Sequence, residues 1–397
     1  MIERENYISI LEKWKDKQVI KIITGIRRCG KSTVLKMYRE KLISTGTDES
    51  QIIYLNFEDL ENEQYLDYRS LYDYVKPRLN PGKMNYIFFD EVQLVRDFQK
   101  TIDSLFLLDN TDIYATGSNA YLLSSEIATL LSGRYVEIKM QPLSFKEFVS
   151  AYSRSFSLDI LYRKYIETGS FPYTLQLQED KSLVKDYLNG LYSTIILKDV
   201  ITRKKISDTM MLESVVKFLA DNIGNLTAIK RISDTMASAK RKISVHTVEN
   251  YISALTDCYV FYPVNRYDTK GMQHLKTGQK YYMADIGLRN AIIGTKTGDL
   301  GRILENIIYL ELLRRGGEVY IGKNGTSEID FVVIKNGGKE YYQVALSVRD
   351  ENTMKRELAP LENLSDNYPK YLLTLDNDPV ISHNGIKQIY ALEWLTE

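Results

Sequence analysis

Near the amino terminus, Gly25-Ile26-Arg27-Arg28-Cys29-Gly30-Lys31-Ser32 satisfies G-x-x-x-x-G-K-[ST] at every fixed position. The pattern works only as the turn between a buried strand and the helix that follows it. Both flanks are present: Val19–Thr24 is an apolar-rich run that predicts a strand, and Ser32–Leu42 continues with helical spacing. In such a turn successive backbone N–H groups point inward at an anion, and the helix N-terminus adds partial positive charge. Gly25, Arg27, Arg28, Cys29, Gly30, Lys31, Ser32 and Thr33 therefore make up the expected phosphate cradle. Lys31 is expected to reach the β- and γ-phosphates and Ser32 to ligate Mg²⁺. Arg27 and Arg28 either add charge to the cradle or face outward to a partner, and the sequence leaves both readings open.

Short apolar runs at Val19–Thr24, Ile52–Asn56, Tyr86–Asp90, Ile113–Thr116 and Tyr135–Met140 alternate with helical patterns, the signature of a parallel sheet covered by helices. Asp90 and Glu91 close the run Tyr86-Ile87-Phe88-Phe89. A carboxylate at the C-terminal tip of a parallel strand faces the ligand crevice, where Asp90 can hold Mg²⁺ through its water shell. Glu91, one residue on, is placed to orient or deprotonate an attacking water. The next run ends in Gly117-Ser118-Asn119, and Asn119 first, Ser118 second, are the candidates for sensing the γ-phosphate. The same residue types cap helices, which is the competing reading. Arg134 precedes the fifth strand and reads either as an arginine finger, for a neighbouring subunit's nucleotide or its own, or as a solvated surface charge.

At 397 residues the chain exceeds the ~250–300 residues at which a single core usually splits, so several domains are expected. They divide as 1–148 for the α/β core, 149–204 for a helical lid, 205–268 for a winged-helix-like domain and 269–397 for a smaller α/β domain. Lys plus Arg and Asp plus Glu each total 52, so 52 − 52 leaves no net charge and no global pull toward nucleic acid or anionic membrane. The 2 cysteines, Cys29 and Cys258, read as free thiols, and His246, His274 and His383 lack the spacing of a zinc site. Any metal is therefore expected to be carboxylate-bound Mg²⁺. The start is charged and no run approaches the ~20 apolar residues of a membrane span, so the chain reads as cytoplasmic.

Between 207 and 266, amphipathic helical patterns precede the apolar run Cys258–Pro263, which suits a hairpin or wing. Ser244–Leu255 is the recognition-helix candidate, with Lys230, Arg231, Lys240, Arg241 and Lys242 as the local basic cluster that a phosphate backbone needs. Double-stranded DNA through residues 230–255 is one expected partner. Asp234, Glu249 and Asp257 dilute the patch, and a protein partner or a homo-oligomer is the alternative. Beyond, a helix at Leu300–Arg315 leads to strands at Val319–Ile321, Ile329–Ile334 and Tyr341–Leu346, with Asn336-Gly337-Gly338 as a hairpin turn.

These residues resemble a known family, the prokaryotic AAA+-like ATPases that join a P-loop domain to a separate C-terminal domain. The likeness is carried by Gly25–Thr33, Phe88–Gln93, Thr116–Ala120 and Leu131–Phe148, with Gly169–Pro172 and Tyr282–Leu288 as later landmarks. The resemblance implies a P-loop NTPase core of the additional-strand, catalytic-glutamate type. In it Ile113–Thr116 would lie between the strands carrying the Walker A and Walker B motifs, and Asn119 beside the γ-phosphate. It implies ATP, in keeping with the absence of an Asn-Lys-x-Asp guanine motif. Glu91 beside Asp90 points to slow Mg²⁺-dependent hydrolysis that drives a switch or motor, and an ATP-binding regulatory or scaffold protein with little turnover is the alternative. The resemblance also implies a restriction-endonuclease-like last domain, whose acids would be Glu305 and Asp330. That chemistry needs carboxylates on Mg²⁺ and a lysine beside them, and Gln343 and Ala345 stand where the second acid and the lysine belong. Cleavage is therefore not expected, and Asp285 is expected to cap a helix.

Overall fold

The computed structural model describes residues 2–117, 133–152, 156–177, 179–202, 206–238, 243–271, 273–335 and 337–397. Ser118 and Asn119, and with them Lys240, Arg241 and Lys242, lie outside the described residues. Backbone contacts divide the chain into two units, Met1–Pro142 with Asp257–Tyr259, and Leu143–Thr256 with Val260–Glu397.

The first unit is built on a parallel sheet of β1 (Ile20–Thr24), β2 (Ile52–Asn56), β3 (Asn85–Asp90), β4 (Thr111–Gly117) and β5 (Tyr135–Lys139), in the order β2-β3-β4-β1-β5. The strand between β1 and β3 is β4, as the resemblance implied. Because both faces are covered, β1 and β3 are buried at every position, which is why they read as continuous apolar runs. Alternate residues divide between the faces. Ile22, Ile87, Phe89, Ile113 and Ala115 pack with Leu71 and Val75 of α3 (Tyr68–Val75) and Ile102 and Leu105 of α4 (Phe98–Phe106). Opposite, Phe88 and Tyr114 meet Tyr38 of α2 (Lys31–Ser44), with ring centroids 6.4 and 5.3 Å away. The short helix α1 (Glu5–Lys13) precedes β1.

The second unit begins with helices: α5 (Phe145–Ser150), α6 (Leu158–Thr168), α7 (Lys181–Thr194), α8 (Thr209–Asp221), α9 (Ile229–Ser238) and α10 (Val245–Asp257), the last closing across the unit boundary. A two-stranded hairpin, β6 (Phe261–Asp268) and β7 (Gln273–Met283), follows, then α11 (Ile286–Ile293) and α12 (Leu300–Arg314). The remaining elements are β8 (Glu318–Asn324), β9 (Ser327–Lys335), β10 (Gly338–Ala345), α13 (Glu351–Glu362), β11 (Lys370–Thr374), β12 (Ile381–His383) and β13 (Ile386–Tyr390). All of these strands form one sheet in the order β12-β13-β11-β10-β9-β8-β6-β7.

That order corrects the expected division at 268/269. Arg266, Tyr267 and Asp268 of β6 pair in parallel with Ile321, Gly322 and Lys323 of β8, so the segment read as a hairpin or wing is a hairpin, sheet-bonded to the α/β domain. The reason is lateral: local periodicity identifies a strand but not which strand lies beside it. The first unit likewise closes at Pro142 rather than at 148.

Two distant sequence landmarks meet inside the second unit. Asp285 is the N-cap of α11, as expected, accepting from the Leu288 N–H, and it also accepts from the Ser170 N–H and, at 2.7 Å, from the Ser170 hydroxyl. A Cβ on Gly169 would stand 2.7 Å from the Asp285 carboxylate, and one on Gly287 would stand 2.6 Å from the Gly169 Cα. Gly169-Ser170 and Asp285-Ile286-Gly287 are thus one packing joint.

Candidate active site

The tips of β1, β3 and β4 build the site. Gly25 leaves β1 with φ +149°, and a Cβ there would lie 2.1 Å from the Met140 carbonyl oxygen, so the loop's first position takes only glycine. Gly30, at φ +108°, caps α2. Between them Ile26 and Cys29 are fully buried, whereas Arg28 (φ +67°) and Thr33 are exposed. Burial pushes the Cys29 thiol up, with Lys31 and Arg4 pulling the other way. Arg27 pairs with Glu58 at 3.3 Å.

Lys31 is 3% exposed, and its ammonium donates to the Gly25 and Ile26 carbonyls at 3.0 and 3.2 Å. It lies 4.0 Å from Glu91. Asp90, fully buried, accepts from the Ser32 hydroxyl at 3.0 Å, from Thr116 at 2.6 Å and from the Tyr54 hydroxyl at 3.0 Å. Thr116 in turn accepts the Glu91 backbone N–H at 2.9 Å. Glu91 has φ +55°, a left-handed conformation that costs a non-glycine residue on the order of 1 kcal/mol or more, and its side chain faces Lys31. Its carboxylate accepts from the Gln93 amide.

Mg²⁺ keeps several waters and binds proteins through one or two carboxylates plus phosphate oxygens. A serine hydroxyl and a carboxylate already 3.0 Å apart at a phosphate loop match that donor set, so Ser32 and Asp90 fit the ion.

Not every expected residue is brought here. Arg134 stands at the start of β5, where its carbonyl accepts from Ile20, whereas Thr24 beside the loop pairs with Lys139. Those ends are separated by roughly 16 Å, at about 3.3 Å per residue. Its guanidinium instead lies 3.8 Å from Asp103 and 5.6 Å from the Phe106 ring centre. The structure does not bring Arg134 to the loop of its own chain.

Four residues escaped the sequence reading. Tyr54, Thr116 and Gln93 hold the two acids. Arg4, 3% exposed, donates to the Cys29 carbonyl at 3.0 Å and to the Gln141 carbonyl at 2.8 Å, tying the segment before α1 to the loop. Threonine at the tip of the strand beside Asp90 was the one local signal available.

Comparison with known proteins agrees with this architecture. Residues 17–149 match the family described as AAA domain, and residues 159–299 match a domain of unknown function, DUF8612. The chain belongs to the AAA+-like P-loop ATPases. An uncharacterised protein of Haemophilus influenzae is 42% identical over 100% of this chain and 99% of its own length. Another, from Methanocaldococcus jannaschii, is 30% identical over 86% of this chain and 78% of its own. A Walker-type ATPase of Pyrococcus abyssi shares the fold, with a TM-score of 0.51, at 14% identity, over 74% of this chain and 96% of that one. Among the described residues no helix is long and apolar enough to cross a membrane.

Proposed function

We propose that the chain binds MgATP at the Gly25–Thr33 loop and hydrolyses it with Glu91 as the base, acting as a nucleotide-driven switch. The observation that carries this reading is the Thr116 hydroxyl, which ties Asp90 and the Glu91 backbone into one rigid corner 4.0 Å from Lys31 at its nearest approach. Lys31 exchanges its loop carbonyls for phosphate oxygens. Mg²⁺, held by Ser32 and by Asp90 through water, would neutralise charge on those oxygens. Glu91 orients a water and takes its proton on Oε1, the oxygen facing Lys31, while Oε2 accepts from the Gln93 amide. Asn119, two residues beyond Gly117, is the proposed γ-phosphate sensor, and Arg134 a residue for a neighbouring copy's nucleotide.

Phosphate release and nucleotide titration test this. Lys31→Ala is expected to lose ATP binding, while Glu91→Gln keeps binding and loses about 10²-fold or more in turnover, the usual worth of a general base. Unchanged turnover in Glu91→Gln would remove Glu91 from the chemistry.

Association with double-stranded DNA through residues 230–255 is the weaker reading. The exposed positions of α10 include His246, Glu249, Asn250 and Ser253, and the helix holds no lysine or arginine. Adding duplex DNA to the same assay is expected to leave turnover unchanged; stimulation lost on charge reversal of Lys240, Arg241 and Lys242 would reverse that order.

A further inference from the structure

The second unit holds a cavity of about 440 Å³ at the place where the sequence pattern of a Mg²⁺-dependent nuclease would put its acids. Glu305 comes from α12, Glu328 and Asp330 from β9, and Glu357 from α13. Lys280 of β7 enters among them. Its side chain is 4% exposed, and its ammonium lies 2.9 Å from Glu305, 2.9 Å from Glu328 and 3.8 Å from Asp330. Tyr282, on the same face of β7, donates its hydroxyl to the Glu305 oxygen that Lys280 also contacts. Gln343, in the place of the second acid, donates its amide to Glu357 at 2.9 Å and accepts the Asp330 N–H at 3.3 Å.

These residues do not fit a divalent metal. Mg²⁺ demands oxygens at ~2.0–2.1 Å in near-octahedral array. Here the space between the carboxylates is taken by an ammonium hydrogen-bonded to Glu305 and ion-paired with Glu328 and Asp330, and a second cation on the same oxygens would meet a like charge. Among the described residues no group of His, Cys, Asp and Glu is arranged to hold a metal ion.

We propose that Lys280 is a resident cation standing where a divalent metal would be, so that it joins β7 to α12 and β9 and the cavity binds no metal. Burial alone would discharge Lys280, but Glu305, Asp330 and Glu328 outweigh it and hold the ammonium charged. Burial and the nearby Glu305 raise Asp330 as well, to about 8. One ammonium thus faces the carboxyl groups of Glu305, Glu328 and Asp330, with Glu328 at the solvent side. A lysine expected at position 345 is supplied from 280, but as a plug rather than beside an ion.

Mn²⁺ binding to the full chain without nucleotide, followed by electron paramagnetic resonance, tests the proposal. Wild type and Asp330→Asn are expected to take up equal Mn²⁺, Lys280→Met one ion more per chain, and the Lys280→Met/Asp330→Asn double variant to lose it again. An ion bound by wild type and lost in Asp330→Asn would overturn the proposal, and so would folded Lys280→Met gaining none. Should Lys280→Met not fold, the comparison of wild type with Asp330→Asn still decides the first point. Lys280→Ala with added methylammonium decides the second. Recovery of its thermal midpoint by the amine, with no such shift in wild type, is expected; no recovery would overturn the role assigned to the ammonium.

Discussion

The Thr116 hydroxyl lies 2.6 Å from the Asp90 carboxylate and accepts the Glu91 N–H at 2.9 Å, so one side chain on β4 fixes both acids of β3. Thr116→Val keeps the shape and removes both bonds. A buried N–H left without a partner costs about 1–3 kcal/mol, and that loss is expected in urea unfolding. Turnover is expected to fall roughly 10-fold, as misplacement of a general base predicts, with ATP affinity nearly unchanged. An equal fall in affinity would make Thr116 a binding residue only.

Arg4 offers a second test. Its guanidinium is buried against two carbonyls, one of them in the phosphate loop, and 4.9 Å from the Tyr7 ring centre. Arg4→Met retains most of the packing but leaves the Cys29 and Gln141 carbonyls without this donor. Stability is expected to fall by about 2–4 kcal/mol, since charge-assisted bonds are lost from a buried site. ATP affinity should fall with it, read by nucleotide titration at a temperature where the variant is folded; full affinity would show that the loop holds its shape without Arg4.

Gly169→Ala probes the joint with Asp285. The new methyl would lie 2.7 Å from the carboxylate, at a backbone φ of +77° that side chains rarely adopt. A loss of about 2–4 kcal/mol is expected from strain plus a displaced buried carboxylate. Urea denaturation of the full chain measures it, and a change below about 0.5 kcal/mol, typical of neutral surface sites, would show the joint to be soft.

Cys29 and Cys258 are both buried thiols outside any disulfide. Burial raises the Cys29 thiol, so little thiolate is present at pH 8 and an aromatic disulfide reagent should label neither cysteine until the chain unfolds. Rapid labelling of native protein, abolished by Cys29→Ser, would place an opening motion in the phosphate loop.

How much of this was legible in the sequence depended on how far apart the partners lie. The strands of the first unit read directly, because burial on both faces writes each as a continuous apolar run, and Gly25, Lys31, Ser32, Asp90 and Glu91 sit at fixed offsets from them. Tyr54 and Thr116 did not read, because their role depends on which strands flank β3. Arg4 reaches a carbonyl 137 positions away. Lys280 was hidden for the same reason: spacing looks for a lysine two residues beyond Gln343, whereas the fold delivers one from β7.

The parallel pairing of β6 with β8 also sets where the polypeptide can be cut. A fragment starting at residue 269 would keep β7 but lose β6, the strand that β7 pairs with in the sheet among the described residues, and would bare the β8 edge that β6 covers. Unpaired edges of that kind recruit other chains, so such a fragment should aggregate on expression. The shortest piece that can stay monomeric must begin upstream of Phe261.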